Sequence, residues 1–167
     1  MIASCLAGAY IFRLRQFPKD DGALKRFEAV PAPAYRARII DEPDSAMYGT
    51  RARAKVEASC KGIEGDMACT EIDSDTFVQI SYSEKAATDK VEVGDRIMFT
   101  GSIKRMTFPE GEESLENFFK RQKVFYEAKN AKISHSEKPP SIKRPLVRFR
   151  KSIEKSIADA LPRPDSD

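Results

Sequence analysis

Thr50-Arg51-Ala52-Arg53-Ala54-Lys55-Val56-Glu57-Ala58 alternates without a fault. Ala52, Ala54, Val56 and Ala58 point one way; Arg51, Arg53, Lys55 and Glu57 point the other. Successive side chains leave a strand on opposite faces, so this period of two predicts a half-buried strand. Its inward side is mostly alanine, which implies close approach by another part of the chain, as in a tightly curved small barrel.

The neighbouring stretches read the same way. Tyr35 to Asp41 alternates with Tyr35, Ala37 and Ile39 on one face, and Glu42-Pro43-Asp44 stops it. Asp66 to Ile72 follows a glycine-containing turn, and Thr76 to Tyr82 places Val78, Ile80 and Tyr82 inward. Val93-Gly94-Asp95 is a turn leading into a strand in which Ile97, Phe99 and Ile103 face inward. Gly101 lies within that run, where a glycine marks a bulge, a bend or a close backbone approach. After Pro109-Glu110-Gly111, Ser114 is a candidate cap for a helix of about two turns carrying Leu115, Phe118, Phe119 and Gln122. Val124 to Ile133 returns to strand character. Five to six short strands with one short helix over residues 35–134 predict a mainly β fold, a small OB-like barrel.

The segments on either side differ in kind. Met1 to Phe12 is apolar and small and meets Arg13 and Arg15. Twelve apolar residues are too few to span a bilayer, and no basic region precedes them as in a signal peptide. Residues 1–16 are therefore expected to be the end of a transmembrane helix, with a buried N-terminal helix as the alternative. Residues 17–34, with three prolines between Phe17 and Pro33, read as a linker, as do residues 135–145. Beyond them, Leu146, Phe149, Ile153, Ile157 and Leu161 recur at spacings of three and four, Pro145 can open a helix, and Pro162 ends it. The amphipathic helix expected over 146–161, before a tail at 162–167, has a basic polar face. Leu146, Phe149, Ile153 and Ile157 either lie on a membrane surface or pack on the barrel.

Charge and cysteines bound the function. Of 167 residues, 41% are hydrophobic and 33% charged, a globular composition, and the net charge of +3 does not by itself argue for nucleic acid. Between Asp41 and Asp75 there are nine acids against four bases; between Lys138 and Lys155, seven bases against one acid. An anionic partner would most easily meet the C-terminal part, unless these are simply solvated faces. Cys60 and Cys69 flank a glycine-containing stretch that reads as a tight reversal; if the turn centres on Glu64-Gly65, the two stand opposite each other on an antiparallel pair. They are either bridged, which implies an oxidising compartment, or two reduced thiols in an ordinary hairpin. No CxxC spacing is present and His135 is the single histidine, so no metal site, no cofactor and no enzymatic chemistry are expected.

In their order these segments resemble the N-terminal soluble region of the ComEC family of bacterial competence channels. The residues that carry the resemblance are Ile39-Ile40-Asp41-Glu42-Pro43, then Val93-Gly94-Asp95-Arg96-Ile97 through Gly101, then Phe118-Phe119-Lys120-Arg121-Gln122-Lys123-Val124-Phe125, and the helix from Leu146 to Leu161-Pro162. In the loop Pro109 to Leu115 only the proline and glycine of the family's pattern remain. The resemblance implies a non-catalytic domain that handles incoming DNA, on the extracytoplasmic side of the bacterial inner membrane. Its partners would be the membrane, the channel domain of the same protein and other uptake components; the family's channel helices and metallo-β-lactamase-like region are not in this chain.

Sequence-independent binding of single- or double-stranded DNA needs positive charge along a groove, and a single strand also needs aromatic faces. The candidates are Arg51, Arg53, Lys55, Lys104, Arg105, Lys120, Arg121 and Lys123, with Phe125 or Tyr126 nearby in sequence. The competing reading makes the basic residues ordinary solvent-facing positions and the aromatics core. A second function class also stands: a structural or protein-interaction module of a membrane protein that binds no nucleic acid.

Overall fold

The computed structural model describes residues 18–28, 34–46, 49–62, 67–83, 87 and 90–160. Among the described residues there are nine strands: β1 (Ala34–Ile39), β2 (Asp44–Ala46), β3 (Gly49–Lys61), β4 (Ala68–Glu71), β5 (Phe77–Tyr82), β6 (Arg96–Thr100), β7 (Ile103–Arg105), β8 (Val124–Ala128) and β9 (Lys132–Glu137). Helix α1 (Glu113–Arg121) stands between β7 and β8, and α2 (Lys143–Ala160) follows β9. The expected transmembrane end at 1–16, the Pro31-Ala32-Pro33 stretch and the tail at 162–167 lie outside the described residues.

The fold is mainly β, built on one mixed sheet in the order β7-β8-β5-β3-β1-β6-β9, with β2 and β4 added on β3. Every pairing between named strands is antiparallel except β5 with β8, which is parallel. The sheet is not closed, so a barrel is not shown, and the strands outnumber the five or six expected.

β3 is the hub of the sheet. Its first half pairs with β5 and its second half with β1. Ala52, Ala54, Val56 and Ala58 point from β3 to the core face of the sheet and are buried there. Small side chains there leave room for the large buried residues Tyr35, Phe99 and Tyr126. Tyr35, Ala37 and Ile39, then Val78, Ile80 and Tyr82, then Ile97, Phe99 and Ile103 all face this core, as the alternation requires.

Several boundaries depart from expectation. Ser114 sits inside α1; the cap position is Glu112, with no side-chain capping hydrogen bond. The run from Val124 to Ile133 is two strands, because the chain reverses at Asn130 in the left-handed region (φ 53°). Gly101 falls in the break between β6 and β7. Pro145 is the third residue of α2, still in the first turn, where a missing N–H leaves no helical bond unmade.

The stretch before β1 is more than a linker. Leu24 is fully buried in the core cluster, and Phe27 meets Tyr35 edge-on at 5.9 Å. Two carboxylates hold the segment down. Asp20 accepts from the Tyr126 hydroxyl (2.7 Å) and pairs with Arg105 (3.5 Å). Burial and this adjacent carboxylate push the Tyr126 phenol well above its ordinary value. Burial also raises the Tyr35 hydroxyl, to about 12.

Asp21 accepts from the Ala23 and Asp75 backbone N–H groups (3.0 and 2.8 Å) and from Ser74 Oγ (2.8 Å). Burial opposes its ionisation, but these donors and Thr76 outweigh burial and hold its carboxyl below the usual 3.8. The folded group thus titrates below the unfolded one. Its contribution is complete above pH 3.8 and is lost as the pH falls through the lower folded value. Acid titration of stability by circular dichroism is expected to show a loss below that pH which Asp21→Asn flattens. An unchanged profile in the variant would show that other carboxylates carry the acid sensitivity.

Candidate nucleic-acid interface

Alternation puts Arg51, Arg53, Lys55 and Glu57 on the outward face of β3, and pairing extends that face sideways. In register across the sheet, Lys104 on β7 stands beside Glu127 on β8, Glu127 beside Gln79 on β5, and Gln79 beside Arg53 on β3. Three strand spacings separate the ends of this row, roughly 14 Å. Arg51 to Lys55 runs roughly 13 Å along β3. The sheet therefore brings Arg51, Arg53, Lys55 and Lys104 onto one surface, which their separation in sequence does not reveal.

That surface is not uniformly cationic. Arg53 pairs with Asp41 (2.5 Å), donates to the Gln122 carbonyl and side-chain oxygens (3.4 and 3.2 Å), and lies over the Phe77 ring at 5.3 Å. It ties the chain after β1 and the end of α1 to the sheet. Glu57 accepts from Arg38 and Arg96, both at 2.8 Å, and Arg36 pairs with Glu71 at 3.5 Å. Glu127 pairs with Lys129 at 2.9 Å. Among the described residues Arg51, Lys55 and Lys104 make no such ion pair; Arg51 and Lys104 are exposed and Lys55 is half-buried.

The remaining candidates divide. Arg105 is bound to Asp20, whose side chain is only 8% exposed, so it braces the N-terminal segment. Lys120 pairs with Glu116 one helical turn earlier (2.7 Å), and Lys123 reaches Asp75 at 3.9 Å. Arg121 is exposed on the last turn of α1. Phe125 and Tyr126 are core residues, 8% and 0% exposed, so neither offers a stacking face. The exposed aromatic of this region is Phe118 on α1, 52% exposed and against Phe119 at 5.5 Å. Cys60 and Cys69 stand opposite each other in register between β3 and β4 and are joined by a disulfide.

The basic C-terminal stretch finds acids within its own chain. Arg144 pairs with Asp95, which is fully buried and also accepts from the Glu92 N–H (2.7 Å). Arg148 pairs with Glu92 (3.2 Å), and Arg150 (2.7 Å) and Lys151 both pair with Glu42. Gly94 allows the docking: its φ is +84°, and a Cβ there would meet Ser141 Oγ at 2.5 Å. Between α2 and the sheet lies a groove of about 830 Å³, lined among others by Glu42, Thr50, Tyr82, Glu92 and Arg148. Sequence reading missed Glu42, Glu92 and Asp95 as the acceptors of this helix; the acidic stretch from Asp41 to Asp75 was a trace of Glu42 alone.

Among the described residues no group of three or more His, Cys, Asp or Glu is placed to hold a metal ion, and no helix is long and apolar enough to cross a membrane. No family model, curated protein or solved structure matches the chain.

Proposed function

We propose that the chain is a non-catalytic, OB-like domain of a ComEC-like DNA-uptake channel protein, where it guides incoming DNA by its phosphates. The observation that carries this reading is the strand pairing. β1, β3 and β5 form a three-strand meander, β8 returns parallel to β5, and β6 runs on through two residues into β7. β6 pairs with β1 and β7 with β8, so one interrupted strand meets both the first and the last strand of the set, as in an OB-like barrel. Together with the order of segments that resembles the competence family, this pattern supports the assignment. It departs from the usual arrangement in placing the helix after this interrupted strand rather than before it.

Within that reading Arg51, Lys55 and Lys104 are the phosphate contacts, and Arg53 positions the loops at their border. Contacts of this kind are insensitive to sequence and fall steeply with salt. Fluorescence anisotropy with labelled single- and double-stranded DNA is expected to show binding at low salt that weakens at moderate salt. The triple variant Arg51→Glu/Lys55→Glu/Lys104→Glu is expected to weaken it by about tenfold or more, since each lost phosphate contact also loses its counterion release. No binding at low salt sinks the DNA reading; unchanged affinity in the variant sinks this choice of surface.

A second reading is favoured by the pairing of Arg38, Arg53, Arg96 and Arg105 with carboxylates of the same domain. It makes the domain a structural or protein-interaction module of a membrane protein. DNA indifference in the same assay is its expected result.

A further inference from the structure

Helix α2 is mounted the opposite way from a helix that closes a core. At 3.6 residues per turn, Arg144, Arg148 and Lys151 fall on one side and Ile142, Leu146, Phe149, Ile153 and Ile157 about half a turn away. The cationic side faces the domain, through the ion pairs to Asp95, Glu92 and Glu42. The apolar side faces outward: Ile142 is 85% exposed, Leu146 63%, Phe149 66%, Ile153 44% and Ile157 55%. From Arg144 to Ile157 only Arg144 and Val147 are even partly covered, so the helix stands proud of the domain. No charged residue interrupts the stripe. Lys143 and Arg150 border it on one flank, and Pro145, Ser152 and Ser156 on the other.

We infer that this outward face of α2 seats on the surface of a bilayer containing anionic lipid, with the domain clamped to the helix's other side. The occupant is chosen on charge and shape. The helix carries six bases and two acids, so packing the stripe against a second copy would bring two cationic helices together. A proud, convex stripe needs no complementary groove and sinks its side chains into a fluid interface, while cations along its flank meet headgroups. On that flank Lys143 is exposed, and Arg150 stays 62% exposed although paired with Glu42 and Glu154. Both can therefore face anionic headgroups while Arg144, Arg148 and Lys151 hold the helix to the domain. The helix becomes a spacer of roughly 10 Å between the domain and the headgroup plane. The Val93-Gly94-Asp95 turn and Glu42 then form the membrane-proximal end. This inference stands independently of DNA binding.

The chain contains no tryptophan, so Phe149→Trp in the full chain gives a single reporter on the stripe. With vesicles of phosphatidylcholine plus phosphatidylglycerol, its emission is expected to shift to the blue and saturate, and to respond far less to phosphatidylcholine alone. Co-sedimentation of the full chain with the mixed vesicles is expected to fall by about tenfold or more in Phe149→Glu/Ile153→Glu, because two apolar side chains no longer leave water. Both positions are exposed, and an unchanged melting profile would show that the variant is folded. The absence of a blue shift, or undiminished sedimentation of the double variant, overturns the inference. Equal partition into both vesicle types overturns the assignment to anionic lipid. A self-association that the double variant abolishes, without vesicle binding by the parent, assigns the face to a second copy instead.

Discussion

Arg144→Ala is expected to destabilise the protein by about 3–5 kcal/mol, the cost of breaking a buried ion pair by removing one partner. Asp95 is fully buried, and the Arg144 side chain beside it is 14% exposed. Without the guanidinium, Asp95 keeps one donor, the Glu92 N–H, for a charge that cannot reach water. The same residue fixes the start of α2, so the local effect is release of that helix from the turn at Gly94. Urea unfolding read by circular dichroism gives the size. The control is Arg144→Leu with Asp95→Asn, which removes both charges and is expected to recover much of the loss. A loss below about 1 kcal/mol for Arg144→Ala would show that the pair is not a structural clamp.

Phe99→Ala is expected to cost a comparable amount, about 3–5 kcal/mol, as for other buried aromatic truncations. Phe99 is fully buried, pairs in register with Tyr35 across β1 and β6, and has its ring 5.3 Å from the tyrosine ring. Tyr35 in turn holds Phe27. The cavity therefore opens where the sheet meets the N-terminal segment, and the buried Tyr35 hydroxyl, already without a hydrogen-bond partner among the described residues, loses packing on one side. Thermal melting is expected to show a lower midpoint, and amide exchange at Leu24 and Phe27 to rise before exchange in β3. A uniform rise throughout the sheet would instead place Phe99 in the global core alone.

How much could be read in the chain depended on how local each feature is. The strand of Ala52 to Ala58 was legible because an alternating pattern needs no knowledge of its neighbours. Helix α2 was legible for the same reason, through its spacing of three and four. The juxtaposition of Cys60 and Cys69 was legible because the two lie only nine residues apart, on strands that pair in register. Ser114 has the side chain of a cap but lies inside the helix, and no local rule tells whether the helix begins before it or at it. Leu24 and Phe27 are not legible as core, because two apolar residues among prolines and charges have no period, although the core they plug is made elsewhere.

The basic candidate residues illustrate the other side. Eight basic residues looked equivalent in sequence, yet Arg53 braces Gln122 and Asp41, Arg105 braces Asp20, and Arg51, Lys55 and Lys104 remain on the outward face. A basic residue's partner is set by strands that pair across tens of residues, and no period records that.

By itself, the sequence determined which side of each strand and of the C-terminal helix is apolar, because backbone geometry alone fixes those periods. The tertiary structure alone decided strand order, the parallel pairing of β5 with β8, and which face of α2 meets the domain. That last choice ran against the usual expectation. A buried aspartate at the end of a glycine turn captured the cationic side, and so left the apolar side outward.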